Sequence, residues 1–554
     1  MIVIHGKKRV SNFALIAIIT LAGRYLQAAT YYVATNGNDS AAGTLAAPWK
    51  TLSHACSTAS AVGSVIQLGA GTFWETSQSH LASGVTIAGQ GVDQTIVSGS
   101  ASMANASGSY GSFGWTETCA MIVLSQQARG NTISNLTLDG NHRALQAGVA
   151  LTRLATAAWN NYSQDATNIV IHDVNFQNFT CIGLWLEEVK NAQVYNCNFT
   201  ECATDDPSTV LGALNLGGVR DSQIYNCNVT NLTTASGYGI KLFDRPVQNT
   251  VLHDINVVVK PGSIWSGGGT RSGTGYAGNA LGNCPNFAME AAHEVLINVE
   301  MYNLTLINGA FSIVLDPNSA HNGTPYYGTG YALRFHDSRI QSDYGWLIEL
   351  SGSAIKLDHD YFASLMAGGA YVSFANYFNS RVVFRDLVLH HNVIAGVGNH
   401  VFSSSAGLTN FQFYNNTVVY AANGSAAPSA LSLKSGSSYN HLNFINNIFY
   451  RGGAVGSGSL LSGAGTTAPG LVYSNNCNFN VPFANPGGGA AYGGNITVDP
   501  GLTLGSAAKP LPYYQPLSPS SPVVDAGQVI SRITTNYFGA APDIGAYELI
   551  PPKF

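Results

Sequence analysis

Charge is what this chain has least of. Lys, Arg, Asp and Glu together make up 10% of its 554 residues, against about 25% in an ordinary soluble domain. Long charged helical faces are thereby excluded. The formal net charge is −5 and no basic block interrupts the sequence, which argues against nucleic acid as a partner. An acidic polymer would have to be held by a few placed cations or a metal. Apolar runs of spanning length are missing as well. The run from Phe13 to Gly23 falls well short of the ~20 residues a membrane helix needs. It follows Lys7, Lys8 and Arg9 and precedes the small residues Ala28 and Ala29. That order reads as a secretory signal over residues 1–29. The expectation is a secreted chain, extracellular or periplasmic, with no membrane partner, acting as a monomer. No Cys/His spacing resembles a zinc site. Export permits disulfides among the eight Cys; Cys56 with Cys119 and Cys181 with Cys202 stay open as pairs.

What the chain has instead is glycine, 61 residues of it, and a phrase that returns twelve times. The phrase reads apolar, any residue, Asn or Asp (twice His), two residues, apolar. Examples are ISNLTL at Ile133, IHDVNF at Ile171, IYNCNV at Ile224, LDHDYF at Leu357, LHHNVI at Leu389, FINNIF at Phe444 and SNNCNF at Ser474. Starts lie 22 to 49 residues apart, the period of a solenoid. Within each phrase a polar pair that tolerates a left-handed bend joins two short strands. Stacked third-place residues, such as Asn196, Asn226 and Asn446, predict a ladder of amide hydrogen bonds; Asn476 is assigned to the same place. The Asn-x-Thr sequons at Asn135, Asn198, Asn228 and Asn303 read as products of that ladder. Cys197, Cys227 and Cys477 at the fourth place read as small apolar core residues. A further strand, such as GLWL at Gly183 or GIKL at Gly239, alternates apolar and variable residues. Three parallel strands per turn make an all-β chain, a right-handed parallel β-helix of about 13–15 coils. The expected layout is a helix domain over 30–500, whose cap over 30–64 includes a short helix at Thr51–Ala61, and a closing segment over 501–554.

The opening YYVATNGNDSAAGTLAAPWKTLSHA from Tyr31, followed by VGSVIQLGAGTFWE, and the ending SPVVDAG from Ser521 with PDIGAYE from Pro542 resemble the ends of secreted bacterial pectin-lyase-like β-helix proteins. The resemblance implies that fold and points to polysaccharides as the substrate class. The superfamily spans lyases, hydrolases, epimerases and adhesive proteins, so the fold does not name a reaction. Polygalacturonase, calcium-dependent pectate lyase and chondroitinase-like signatures are not matched; Asp205-Asp206, for example, is followed by Pro207.

Candidate chemistry comes from the outward residues of the strand preceding each phrase: Trp185, Asn215, Lys241, Glu290, Val314, Glu349 and Ser373, expected to line a long shallow cleft. Removing the C5 proton of a uronate needs a base, a partner for the developing enolate and a proton donor. Lys241 would be the base if its pKa is depressed, with Arg245 and Glu290 completing the catalytic set; the bland alternative is a solvent-facing Lys241. Trp185, Asn215, Trp265, Arg271 and Glu349 are the substrate-binding candidates, and the glycine-rich stretch from Pro261 to Asn286 suits a covering loop. Asp205 and Asp206, near Glu187, Glu188 and Glu201, are candidate ligands for Ca2+. Carboxylate pairs keep a glycoside hydrolase open, and a non-catalytic glycan-binding or adhesion module is the third reading. His172, His253, His336, His359, His390 and His391 sit inside the phrase and are discounted as corner residues.

Overall fold

The computed structural model describes residues 27–550 apart from 104–119, 126, 143–146, 152–164, 181, 204–211, 233–237, 244–245, 262–263, 266–283, 286, 293–295, 315–329, 343–345, 365–369, 375–382, 405–406, 434, 464–467, 484–489 and 504–513. Nearly every strand pairs in parallel with the equivalent strand of the next turn. The strand that opens each phrase forms a leading sheet with one inward rung per coil. Its rungs are Tyr31, Ile66, Ile87, Ile133, Ile171, Val194, Ile224 and Leu252. They continue through Met301, Phe335, Leu357, Leu389, Phe413, Phe444, Tyr473 and Tyr492. The rungs without the phrase are the terminal ones. At ~4.8 Å per rung the rod is about 70 Å long. Parallel strands joined by crossovers wind right-handed in L-chains, so the body is a right-handed parallel β-helix.

The turns follow from the phrase. Asn135, Asp173, Asn196, Asn226, Asp254, Asn303, Asp337, His359, His391, Asn415 and Asn446 all take φ between 48° and 61°, where an Asn or Asp side chain lowers the cost of the left-handed bend. The last phrase is the exception. Tyr473 pairs with Phe444, so the corner is Asn475, φ 52°, and Asn476 turns inward. Cys477 consequently takes the place of Ile448, one position later than expected; it is still buried. Amides link the corners: Asn196 Nδ2 donates to Asp173 at 3.0 Å, Asn226 to Asn196 at 2.6 Å and Asn303 to Asp254 at 3.1 Å. A second ladder runs Asn256, Asn228, Asn198, Asn175 at 2.8–3.0 Å. Of the four sequons named above, three (Asn198, Asn228 and Asn303) have their amides engaged in ladders.

A polar ladder inside the core was not expected from the sequence. The fourth place, apolar in early coils, becomes Ser338, Asp360, Asn392, Asn416, Asn447 and Asn476, all nearly sealed from solvent. Each Asn side-chain oxygen accepts the backbone N–H of its counterpart one coil earlier, and each Nδ2 donates to a carbonyl of that coil. Asp360 fills the same slot: its Oδ1 accepts Ser338 N at 2.9 Å, and its Oδ2 has no partner. Burial pushes this carboxyl well above the ordinary range. A raised folded-state pKa means stability is full below the unfolded value of about 3.9 and is lost as pH rises toward the folded one. Asp360→Asn, which restores the amide of the neighbouring coils, is expected to gain about 1–3 kcal/mol at pH 8 and little at pH 4. Chemical denaturation at both pH values checks this.

The N-terminal helix spans Leu52–Thr58, shorter than Thr51–Ala61, with Thr51 as its N-cap. Its first amides are held by the buried Glu75, whose two oxygens accept Leu52 N at 2.7 Å and Ser53 N at 3.1 Å. The C-terminal segment does more than close the end. It lies back along the corners, where Asn415 Nδ2 donates to Asp543 O, Asn446 bonds Gln528 through both side-chain atoms and Ala546 N reaches Thr417 Oγ1. Burial pushes Glu548, in this segment, up to about 7. Docking is therefore expected to weaken as pH rises from the unfolded value of about 4.3 to about 7, and Glu548→Gln to remove that dependence; limited proteolysis at pH 5 and pH 8 reads it. Cys56, Cys197, Cys202, Cys227 and Cys477 are buried free thiols; Cys119 and Cys181 lie outside the described residues. Among the described residues no helix is long and apolar enough to cross a membrane.

Candidate functional site

The strand after each phrase builds a third, face sheet, and its outward positions stack into one row. In register the row runs His80, Val123, Ala150, Trp185, Asn215, Lys241, Glu290, Ser312, Glu349, Ser373, Ser403, Ser432 and Ser462. Five of the expected site residues, Trp185, Asn215, Lys241, Glu290 and Glu349, thus belong to a single line, and their flanking residues, such as Ile240 and Leu242, are in the core. Val314 does not; it pairs with Ala292 and Ser351, and Ser312 holds the row position. Val314 sits two places beyond the row position, in continuous register from Glu290↔Ser312 to Ala292↔Val314. Gly239 is required beside Lys241, because a Cβ there would sit 2.4 Å from Ala288 O.

The row is not an open cleft along its centre. Trp185 is 7% exposed, Asn215 5%, Lys241 2% and Ser312 0%. Both the shallow face and the solvent-facing Lys241 are corrected by this burial. Asn215 is fixed by Gly212 N, which donates to its Oδ1 at 2.9 Å. Trp265 is in a short antiparallel pairing of Ile264–Trp265 with Cys284–Pro285, a separate two-stranded sheet. Arg245, Arg271, Asp205 and Asp206 lie outside the described residues. Glu188 and Glu201 are corner residues, with φ of 53° and 51°, and Glu201 accepts Leu232 N at 2.7 Å.

A second cluster, discounted in the sequence, lies on the outer side of the leading sheet. Second-place aromatics stack there from coil to coil: His172, Tyr195, Tyr225, His253, Tyr302 and His336. Each of the three His in this stack holds the adjacent corner Asp at 2.6–2.7 Å through Nδ1. The pattern then breaks. Asp358 replaces the aromatic, and His359 and His391 replace Asn or Asp at two successive corners. Asp358, 1% exposed, is gripped by Arg334 at 3.2 and 3.1 Å, by Lys356 at 3.3 Å and by His359 Nδ1 at 3.2 Å. His390 and His391 face each other Nδ1 to Nδ1 at 2.9 Å. Burial raises the Asp358 carboxyl, but the His359 and Arg334 hydrogen bonds and the nearby cations outweigh it and hold it far below the carboxylate range. Burial pushes His390 down to about 2 and His391 down to about 3, each helped by a neighbouring His. The available signal was the His at the corner place in consecutive phrases.

A family profile described as "Protein of unknown function (DUF1565)" matches residues 35–288. No curated protein matches the chain. Among solved structures, the A-module of the Azotobacter vinelandii mannuronan C-5 epimerase AlgE6 is similar at 10% identity and TM-score 0.37, over 81% of this chain and 93% of that one. Pectate lyase Pel9A is similar at 14% identity and TM-score 0.33, over 94% and 96%. The catalytic domain of a GH87 α-1,3-glucanase is similar at 14% and 0.35, over 70% and 67%. Likenesses this distant carry nothing about activity. The strand register stands on its own, and by it this chain is a right-handed parallel β-helix, similar over residues 35–288 to that family.

Proposed function

We propose that this chain is a secreted carbohydrate-active protein that cleaves a uronate-containing polysaccharide by β-elimination along the face row. The observation that carries the reading is the register. Asn215, Lys241, Glu290, Ser312 and Glu349 are consecutive in a row that is apolar between Val123 and Trp185 and all serine beyond Glu349. Polar and charged groups are concentrated at its centre, one per ~4.8 Å rung. In the reaction Lys241 Nζ takes the C5 proton, the C–H electrons form the C4=C5 double bond, and the C4–O4 bond breaks. O4 leaves with a proton from a neighbouring acid, for which Glu290 is the candidate, one rung from Lys241. Arg245 or Arg271 would oppose the uronate carboxylate. A base must be neutral, and desolvation favours the neutral amine; the near-complete burial of Lys241 suits that task, and substrate entry has to uncover it.

One observation favours a second reading. Two carboxylates, Glu290 and Glu349, share the row two rungs apart, and a pair of carboxylates is what a glycosidase needs. Incubating the mature chain with acidic and neutral polysaccharides separates the readings. Rising ultraviolet absorbance of unsaturated uronates supports elimination, whereas new reducing ends without it support hydrolysis. Binding with neither leaves the glycan-binding module.

A further inference from the structure

We propose that Asp358, His359 and His390 form a site for a divalent transition-metal ion of the zinc class. One ligand atom from each lies within 4.8 Å of the other two, the one such group among the described residues. Asp358 Oδ2 and His359 Nδ1 are 3.2 Å apart, and two ligands about 2.0–2.1 Å from a tetrahedral zinc ion stand about 3.3 Å apart. The Asp358–His359 pair already has the spacing of one tetrahedron edge. His390 brings an independent sign: it is 4% exposed, and its Nε2 is buried without a hydrogen-bond partner, a costly arrangement for a ring nitrogen.

The surroundings match those of a metal site. Arg334 and Lys356 fix the carboxylate, and His391 fixes the His390 ring through its Nδ1, the outer contacts that orient ligands. His359, with its side chain half exposed at 51%, provides the entry path. Three protein ligands leave a fourth position to water or a substrate oxygen. The two cations against Asp358 weaken its hold on any further positive ion, so the imidazoles have to supply most of the binding. A nitrogen-preferring ion is therefore expected, and Ca2+ or Mg2+ is not. The second-place His172, His253 and His336 lack this arrangement, because each holds carboxylates and stacks on tyrosine with no second imidazole beside it among the described residues.

The test uses chelator-stripped full-length chain dialysed against Zn2+, Ni2+ or Ca2+, with bound metal measured by elemental analysis and affinity by calorimetry. Wild type is expected to hold one Zn2+ per chain and no Ca2+ at this site, and to melt at higher temperature with Zn2+. His359→Asn and His390→Tyr install residues that other coils carry at these places, so the first keeps the corner and the second keeps an aromatic ring at the second place. Each is expected to lose at least tenfold in affinity and the Zn2+-dependent melting shift, while His172→Tyr behaves as wild type. A wild-type chain that retains no Zn2+, or a His359→Asn variant that binds it as tightly, overturns the proposal.

Discussion

Lys241→Met is expected to lower polysaccharide cleavage by about 10²–10⁴-fold, the usual contribution of a general base, while the coil remains folded. Met fills most of the buried volume and removes the amine, and volume-conserving changes are tolerated in a packed interior. The same residue in a purely structural role would show a different signature. Its loss would shift the melting temperature and leave residual turnover with an unchanged pH profile. If Lys241 is the base, the smaller Lys241→Ala variant should regain turnover with added primary amines, and the acidic limb of the wild-type profile should vanish. Activity close to wild type in Lys241→Met would remove Lys241 from the chemistry.

The second large effect is acid sensitivity centred on the histidine cluster. His390 and His391 are neutral in the folded chain, with pKa values held near 2 and 3, whereas unfolded histidines titrate near 6.5. Below pH 6.5 the unfolded state binds protons that the folded state does not, so stability present above pH 6.5 falls as pH drops toward the folded values. Each histidine contributes about 1.4 kcal/mol per pH unit. Asp358, whose folded pKa is depressed, adds a loss below about pH 4. Glu548, raised to about 7, works in the opposite direction between pH 7 and its unfolded value. In chelator-stripped, metal-free protein the difference between wild type and His390→Tyr therefore isolates the effect. The variant is expected to lose about 1.4 kcal/mol per pH unit less between pH 6.5 and pH 5, as read from denaturant midpoints. Parallel pH curves for the two chains would contradict the assignment.

The corners were legible because the local chemistry of a left-handed bend depends on one residue. Asn135, Asp173 and Asn196 announce it by themselves. At Ser474 the reading slipped by one place because two consecutive Asn can each take the bend, and the inward ladder decides between them by burying Asn476. That ladder was hidden for a related reason. Asn392, Asn416 and Asn447 look like ordinary turn residues until the next coil supplies their partners, a contact some thirty residues away. The face row was readable from Trp185 to Lys241 and failed at Val314, because alternation does not distinguish Ser312 from the residue two places on; only pairing with Glu290 does. Burial of Lys241 was not readable at all, since alternation tells which way a side chain points and not what lies over it. Regularity also misled. Their placement in the phrase makes the His residues read as scaffold, and His172 and His253 do stack as part of it, but Asp358, His359 and His390 break the stack they interrupt.

The elimination proposed for the row from Asn215 to Glu349 is decided by the mass of the oligosaccharides that the mature chain releases from a uronate glycan. Elimination predicts a new non-reducing end lighter by one water than the hydrolysis product, and loss of that species in Lys241→Met. Fully hydrated ends, or no cleavage of any uronate-containing polysaccharide, would contradict it.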